Sequence, residues 1–153
     1  MDAEVYSDPR VVQLVEQKFV PVRVHVKDQR DEFQRLGERF GSQWTPTTLV
    51  IDETGTERHR IEGFLPADDF LSQLAIGVAK ATFARKDYAT AERLYRDIVS
   101  THATSEAAPE ALYWAGVSKY RATNDPSALG ETARAFADRY QDTSWAKKAS
   151  VWK

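Results

Sequence analysis

Few residues of this chain are equipped for chemistry, and most of those stand apart from one another. The three histidines, His25, His59 and His102, fall in three different predicted elements. None has the His-x-x-x-His spacing that puts two imidazoles on one helix face for zinc, so no metal site is expected. Arg58, His59 and Arg60 read as the solvated face of a hairpin strand. Asp28, Asp31 and Glu32 form an acidic cluster. Asp31 and Glu32, however, fall where a helix begins, and carboxylates there favour the helix dipole, so no catalytic carboxylate pair is expected. The 153 residues include no cysteine. That removes a disulfide, a thiolate nucleophile, a thiol redox cycle and a cysteine-based zinc site together. No catalytic, cofactor-binding or metal-ligating residue is assigned.

What remains are groups suited to contact rather than reaction. Trp44-Thr45-Pro46-Thr47 leads into the apolar run Thr48-Leu49-Val50-Ile51. A proline loop there either leaves backbone groups free to pair with a peptide strand or only shapes the turn. Trp44 is either a contact residue or a packing residue. Further on, Tyr88, Tyr95, Tyr113, Trp114 and Tyr120 recur at helical spacing. Such residues pack between helices, and Tyr113 and Trp114 are the candidates to line a peptide groove. Gly116 suits a close approach of two helices. Trp145 and Trp152 are seven apart on one face of the last predicted helix, which either closes the helical region or is sticky.

The elements that would hold these groups follow from periodicity. Ser7 to Glu16 reads as a helix, with Ser7 or Asp8 as N-cap and Pro9 in the first turn. Phe19 to Val26 alternates Val20, Val22, Val24 and Val26 with Pro21, Arg23 and His25, which is strand periodicity. Pro21 restricts that strand to an edge or a start. Asp31 to Phe40 is a short amphipathic helix with Phe33, Leu36 and Phe40 on one face and Gly41 as its stop. Thr47 to Asp52 and Glu57 to Glu62 form a hairpin around Glu53-Thr54-Gly55. From Pro66 onward only helical patterns remain, roughly 66–85, 88–101, 107–123, 127–140 and from 145. Thr104-Ser105-Glu106-Ala107 is echoed by Thr143-Ser144-Trp145-Ala146, 39 positions on, a period suited to stacked helix pairs.

Composition excludes several partners. The net charge is −2, with Lys and Arg scattered, so no basic stripe invites nucleic acid. The longest uncharged apolar stretch, Phe70 to Val78, is far short of the about 20 residues a bilayer span needs. Met1-Asp2-Ala3-Glu4 is acidic and lacks a signal-peptide pattern, so the chain as it stands is expected in the cytoplasm.

Two family resemblances follow from these residues. Met1-Asp2-Ala3-Glu4-Val5-Tyr6-Ser7-Asp8, then Phe19-Val20-Pro21-Val22-Arg23-Val24, then Pro46-Thr47, Gly55 and Gly63-Phe64, resemble a thioredoxin-like domain entered just after its Cys-x-x-Cys motif. The resemblance implies a cis Thr45–Pro46 bond. Asp87-Tyr88-x-x-Ala91-x-x-x-Tyr95-x-x-Ile98-Val99 and Pro109-Glu110-Ala111-Leu112-Tyr113-Trp114-x-Gly116 are similar to tetratricopeptide (TPR) repeats. In such repeats Ala91 and Ala111 would sit at helix–helix contacts.

The expected fold is therefore α/β, a truncated thioredoxin-like domain over residues 1–76 with a three-stranded sheet remnant, followed by all-α TPR-like helical hairpins over residues 77–153. The expected function is non-catalytic: a redox-inactive interaction or scaffold protein that binds protein or peptide through Trp44, Thr45, Pro46, Thr47, Tyr113 and Trp114. The alternative is a fragment or late-start form of a thiol-disulfide oxidoreductase whose Cys-x-x-Cys lies upstream of Met1. In either case the strand Phe19–Val26 lacks neighbours, and a homodimer formed through its edge is expected.

Overall fold

The computed structural model describes residues 4–152, so the Met1-Asp2-Ala3 part of the motif lies outside the described residues. The chain divides into two compact units, Met1–Leu71 and Ser72–Lys153.

The first unit contains α1 (Pro9–Lys18), α2 (Arg30–Phe40), β1 (Thr47–Ile51) and β2 (Glu57–Glu62). Asp8 starts α1: its carboxylate accepts from the Arg10 N–H at 2.9 Å, and Pro9 occupies the first turn, where its missing N–H costs nothing. The Arg10 side chain also pairs with Asp68 at 2.5 Å. α2 ends at Gly41, whose φ of +63° is the left-handed value that glycine adopts without strain. Phe33, Leu36 and Phe40 are each half-buried, as their shared face requires. β1 and β2 pair antiparallel, Thr48 opposite Ile61 and Val50 opposite His59, with an irregularity between Val50 and Ile51. Val50 and Ile61 are the buried side chains of this hairpin.

The hairpin turn is organised by Asp52. Its Oδ1 accepts from the Thr54 N–H, the Thr54 hydroxyl and the Thr56 N–H at 2.9, 2.6 and 3.1 Å, and its Oδ2 from Arg58 Nε at 2.5 Å. The side chain is 3% exposed. The Thr54 hydroxyl, then Arg58 and the backbone donors, hold the carboxyl well below the usual carboxylate range despite its burial. A lowered folded-state pKa means that the contribution is complete above the unfolded value, near 3.8, and fades as pH falls below it. Asp52→Ala should therefore lower the melting temperature at pH 7 and shrink the gap between wild type and variant below about pH 4. Scanning calorimetry across that range checks it; a gap independent of pH would separate the carboxylate from the turn's stability.

The expected strand Phe19–Val26 is not formed. These residues are irregular and then turn, and the sheet has two strands, β1 and β2, instead of three. Alternating valines specify which face a strand would bury. They make a strand only where a neighbour supplies ladder partners and cover, and no ladder here reaches them. Val20 is 91% and Val22 83% exposed.

The second unit is helical: α4 (Tyr88–Thr101), α5 (Ala107–Thr123), α6 (Ser127–Asp138), α7 (Ser144–Ala149) and a terminal 3₁₀ turn, Ser150–Trp152. α3 (Ala67–Ala84) contains the division between the units. α4 packs on α5, α5 on α6, and α7 on both α5 and α6. The core gathers Ile76, Tyr95, Ile98, Val99, Leu112 and Phe136 around small residues, among them Ala91 and Ala111, both fully buried as expected. Asp87 caps α4 through the Thr90 N–H and Thr143 caps α7 through the Ala146 N–H. The last α-helix is shorter than expected and the chain tightens to 3₁₀ before Trp152, yet Trp145 and Trp152 both pack on the core instead of standing in water. Among the described residues no helix is long and apolar enough to cross a membrane.

Candidate peptide-binding surface

The loop Trp44–Thr47 is held from below. The Thr47 hydroxyl donates to the Trp44 carbonyl at 2.7 Å, and the Gly63 N–H donates to the Pro46 carbonyl at 2.9 Å, extending the register beyond Thr47 opposite Glu62. The Thr45–Pro46 bond is cis, as expected. Arg60 fastens the segment that enters this loop. Its guanidinium pairs with Glu57 at 2.8 Å and Glu62 at 3.2 Å, and donates to the carbonyl of Phe40 and, at 3.4 Å, to that of Gly41. A cation on the last carbonyls of α2 also complements the helix dipole. The Glu57 and Glu62 carboxylates raise the Arg60 pKa further, so its charge is fixed.

On this braced frame the apolar side chains are left in water. Trp44 is 70% exposed, Thr45 and Pro46 are exposed, and Thr47 is half-buried. Phe64, directly after Gly63, is 52% exposed at the same open end of the hairpin. Trp44, Pro46 and Phe64 thus share one end of β1 and β2, on a loop braced through the Trp44 and Pro46 carbonyls.

Two expectations for this region change. Arg58 and Arg60 are not a solvated face: alternation places both on one side of β2, where Arg58 serves Asp52 and Arg60 serves α2. The acidic cluster disperses. Glu32 pairs with Arg35 at 2.6 Å, Asp28 lies 2.9 Å from His25 Nδ1, and Asp31 stands in the first turn of α2. Among the described residues no three of His, Asp, Glu and Cys are grouped as a metal would require.

Tyr113 and Trp114 belong to the second unit and the loop Trp44–Thr47 to the first. Both are half-buried in an aromatic set. Tyr113 stacks on Trp152 with ring centres 4.6 Å apart and leans on Trp145 at 5.2 Å, while Trp114 meets Phe83 edge-on at 5.4 Å. Their packing role is therefore direct. The Trp114 indole N–H and the Ser118 hydroxyl, one turn apart on α5, are buried without a hydrogen-bond partner. The spacing 113, 114 announced one face of α5. It did not announce Trp145 and Trp152 as neighbours, because that contact joins residues more than thirty positions apart.

Comparison with known proteins bears on the first unit. A family model described as a thioredoxin-like domain matches residues 1–76, so this part of the chain is a thioredoxin-like domain. No match was found among curated proteins or among solved structures.

Proposed function

We propose that this chain is a protein- or peptide-binding module: a thioredoxin-like platform without thiols, joined to a TPR-like helical arm. The observation that carries the reading is the exposed Trp44, at the same end of the hairpin as Phe64, on a loop braced by the Thr47–Trp44 and Gly63–Pro46 hydrogen bonds. A large aromatic held in water by a pre-organised frame loses little entropy on contact, which favours binding. The TPR-like reading of the arm rests on the 39-residue echo and on the succession of α4, α5 and α6, each packed on the next. Thiol–disulfide exchange needs a thiolate to attack a disulfide, and residues 1–153 supply none. A random peptide library selected on the full chain should yield binders that lose at least tenfold in affinity with Trp44→Ala or Phe64→Ala, at unchanged melting temperature. Selected peptides that bind both variants as well as wild type would remove the loop from the reading.

The partner proposed for Phe19–Val26 is a second copy. An antiparallel pairing centred on Val22 places the valines on one face. With the two Val22 residues as a hydrogen-bonded pair, Pro21 takes a non-hydrogen-bonded position, where its missing N–H is harmless. Sedimentation at tens of micromolar should show a dimer that Val22→Pro weakens; a monomer across that range refutes this arrangement.

The second reading is a fragment of a thiol-disulfide oxidoreductase whose Cys-x-x-Cys precedes Met1. It is favoured by the exposure of Val20 and Val22, side chains of strand pattern that lack cover. The genomic sequence upstream of Met1 distinguishes the two readings.

A further inference from the structure

The helical unit carries a continuous row of aromatic rings contributed by separate helices. Tyr88 stands 5.0 Å from Phe83, Phe83 5.4 Å from Trp114, Trp114 5.6 Å from Tyr113, and Tyr113 5.2 Å from Trp145. All five side chains are half-buried, so each keeps part of its surface open to water. Each end carries a cation. Arg121, two turns beyond Trp114 on the same face of α5, lies over the Tyr88 ring at 4.7 Å and donates to its hydroxyl at 2.7 Å. Lys148, one turn beyond Trp145, lies 3.9 Å from the centre of that ring. Both cations are exposed, and among the described residues neither has a carboxylate partner. The nearby lysines differ: Lys80 is paired with Glu110 at 2.8 Å and Lys119 with Glu131 at 2.7 Å.

The charge of the whole unit has the same sign. Residues 72–153 hold twelve Lys and Arg against nine Asp and Glu, a net +3, whereas residues 1–71 hold nine against fourteen, a net −5. The overall −2 conceals this division. Apolar rings between two uncompensated cations, on a positive unit, are complementary to an occupant that is apolar in the middle and acidic at its ends.

We propose that this row is the docking surface for an acidic peptide in extended conformation, with its apolar side chains on the rings and its carboxylates on Arg121 and Lys148. Four ring-to-ring steps of about 5 Å correspond to about six extended residues at roughly 3.3 Å each. The inference rests on the reading of the chain as a peptide-binding module and specifies the partner's charge. It concerns a surface other than the Trp44 loop, so the two can fail separately.

The experiment is an NMR titration of the full chain, following the four tryptophan indole N–H signals. The probe is an eight-residue peptide with two acidic residues at each end and Leu, Pro and Phe between them. The expected result is saturable shifts at Trp114 and Trp145. Affinity should fall at least tenfold when the acids are replaced by Gln or Asn, and three- to tenfold with Arg121→Gln or Lys148→Gln. Raising salt from about 0.05 to 0.5 M should also weaken binding. Because both cations are exposed, these variants should keep the wild-type fold, which an unchanged melting temperature of each free variant checks. Shifts confined to Trp44 would overturn the inference while upholding the loop. No saturable shift, equal binding of the neutral peptide, or self-association of the chain through the row in place of peptide binding would each overturn it. So would binding of a single-stranded oligonucleotide at these residues without binding of the peptide.

Discussion

Tyr95→Ala should cost the helical unit about 3–5 kcal/mol, the range for deleting a large buried aromatic side chain. Tyr95 lies on α4 with 1% of its surface exposed and is among the largest fully buried side chains of the protein. Its cluster includes Ala79, Ala91, Ala107, Ala111 and Ala115, drawn from α3, α4 and α5. Small neighbours have little side chain to move into a void, so the cavity stays open and the loss should fall in the upper part of the range. Such a loss is a large fraction of the 5–15 kcal/mol that holds a typical domain together. Urea unfolding followed by far-ultraviolet circular dichroism measures it. Tyr95→Phe, which keeps the ring, should retain most of the stability. A loss under about 1 kcal/mol for Tyr95→Ala would mean that the helices close over the gap.

Gly116→Val should be nearly as damaging, at about 3 kcal/mol, for the opposite reason. A Cβ built on Gly116 would lie 2.0 Å from Thr132 Oγ1 and 2.8 Å from both Thr132 Cβ and Cγ2. Thr132 cannot swing aside freely, because its hydroxyl donates to the Ala128 carbonyl at 2.8 Å and its side chain is buried. Room for a side chain therefore requires α5 and α6 to separate. Gly116→Ala should show a smaller loss of the same kind. Thr132→Ala in the same chain should recover part of it, since the two positions share one contact and their effects cannot add. Additive losses in the double variant would place the strain elsewhere.

Local signals carried most of the element assignment. Asp8-Pro9 started α1, Gly41 ended α2, the Thr54-Gly55 turn joined β1 to β2, and the Ala- and aromatic-rich periodicity after Pro66 was helical. Each depends on residues a few positions apart, and each is a property of a short stretch of backbone. The same holds for Gly116, flagged from sequence as a close-packing position and found against Thr132. The candidate surface was legible in part. Trp44, Pro46 and the Gly63-Phe64 pair were visible as residues, but whether Trp44 packs or protrudes was not, since that depends on what the rest of the chain leaves beside it.

Sequence by itself determined that residues 1–153 contain no thiol, that the first part is thioredoxin-like and that the rest is helical, because these follow from residue identity, motif and period. Tertiary structure alone decided the outcomes that need a second element. Phe19–Val26 has strand alternation but no strand, because a ladder requires a neighbour that supplies N–H and C=O groups at its edge. Arg58 and Arg60 became the fasteners of a turn and of a helix end, because a guanidinium reaches whichever carboxylates and carbonyls folding brings near it. The aromatic row from Tyr88 to Trp145 exists only because packing sets Phe83, Tyr113, Trp114 and Trp145 side by side, and no periodicity within a single helix contains it.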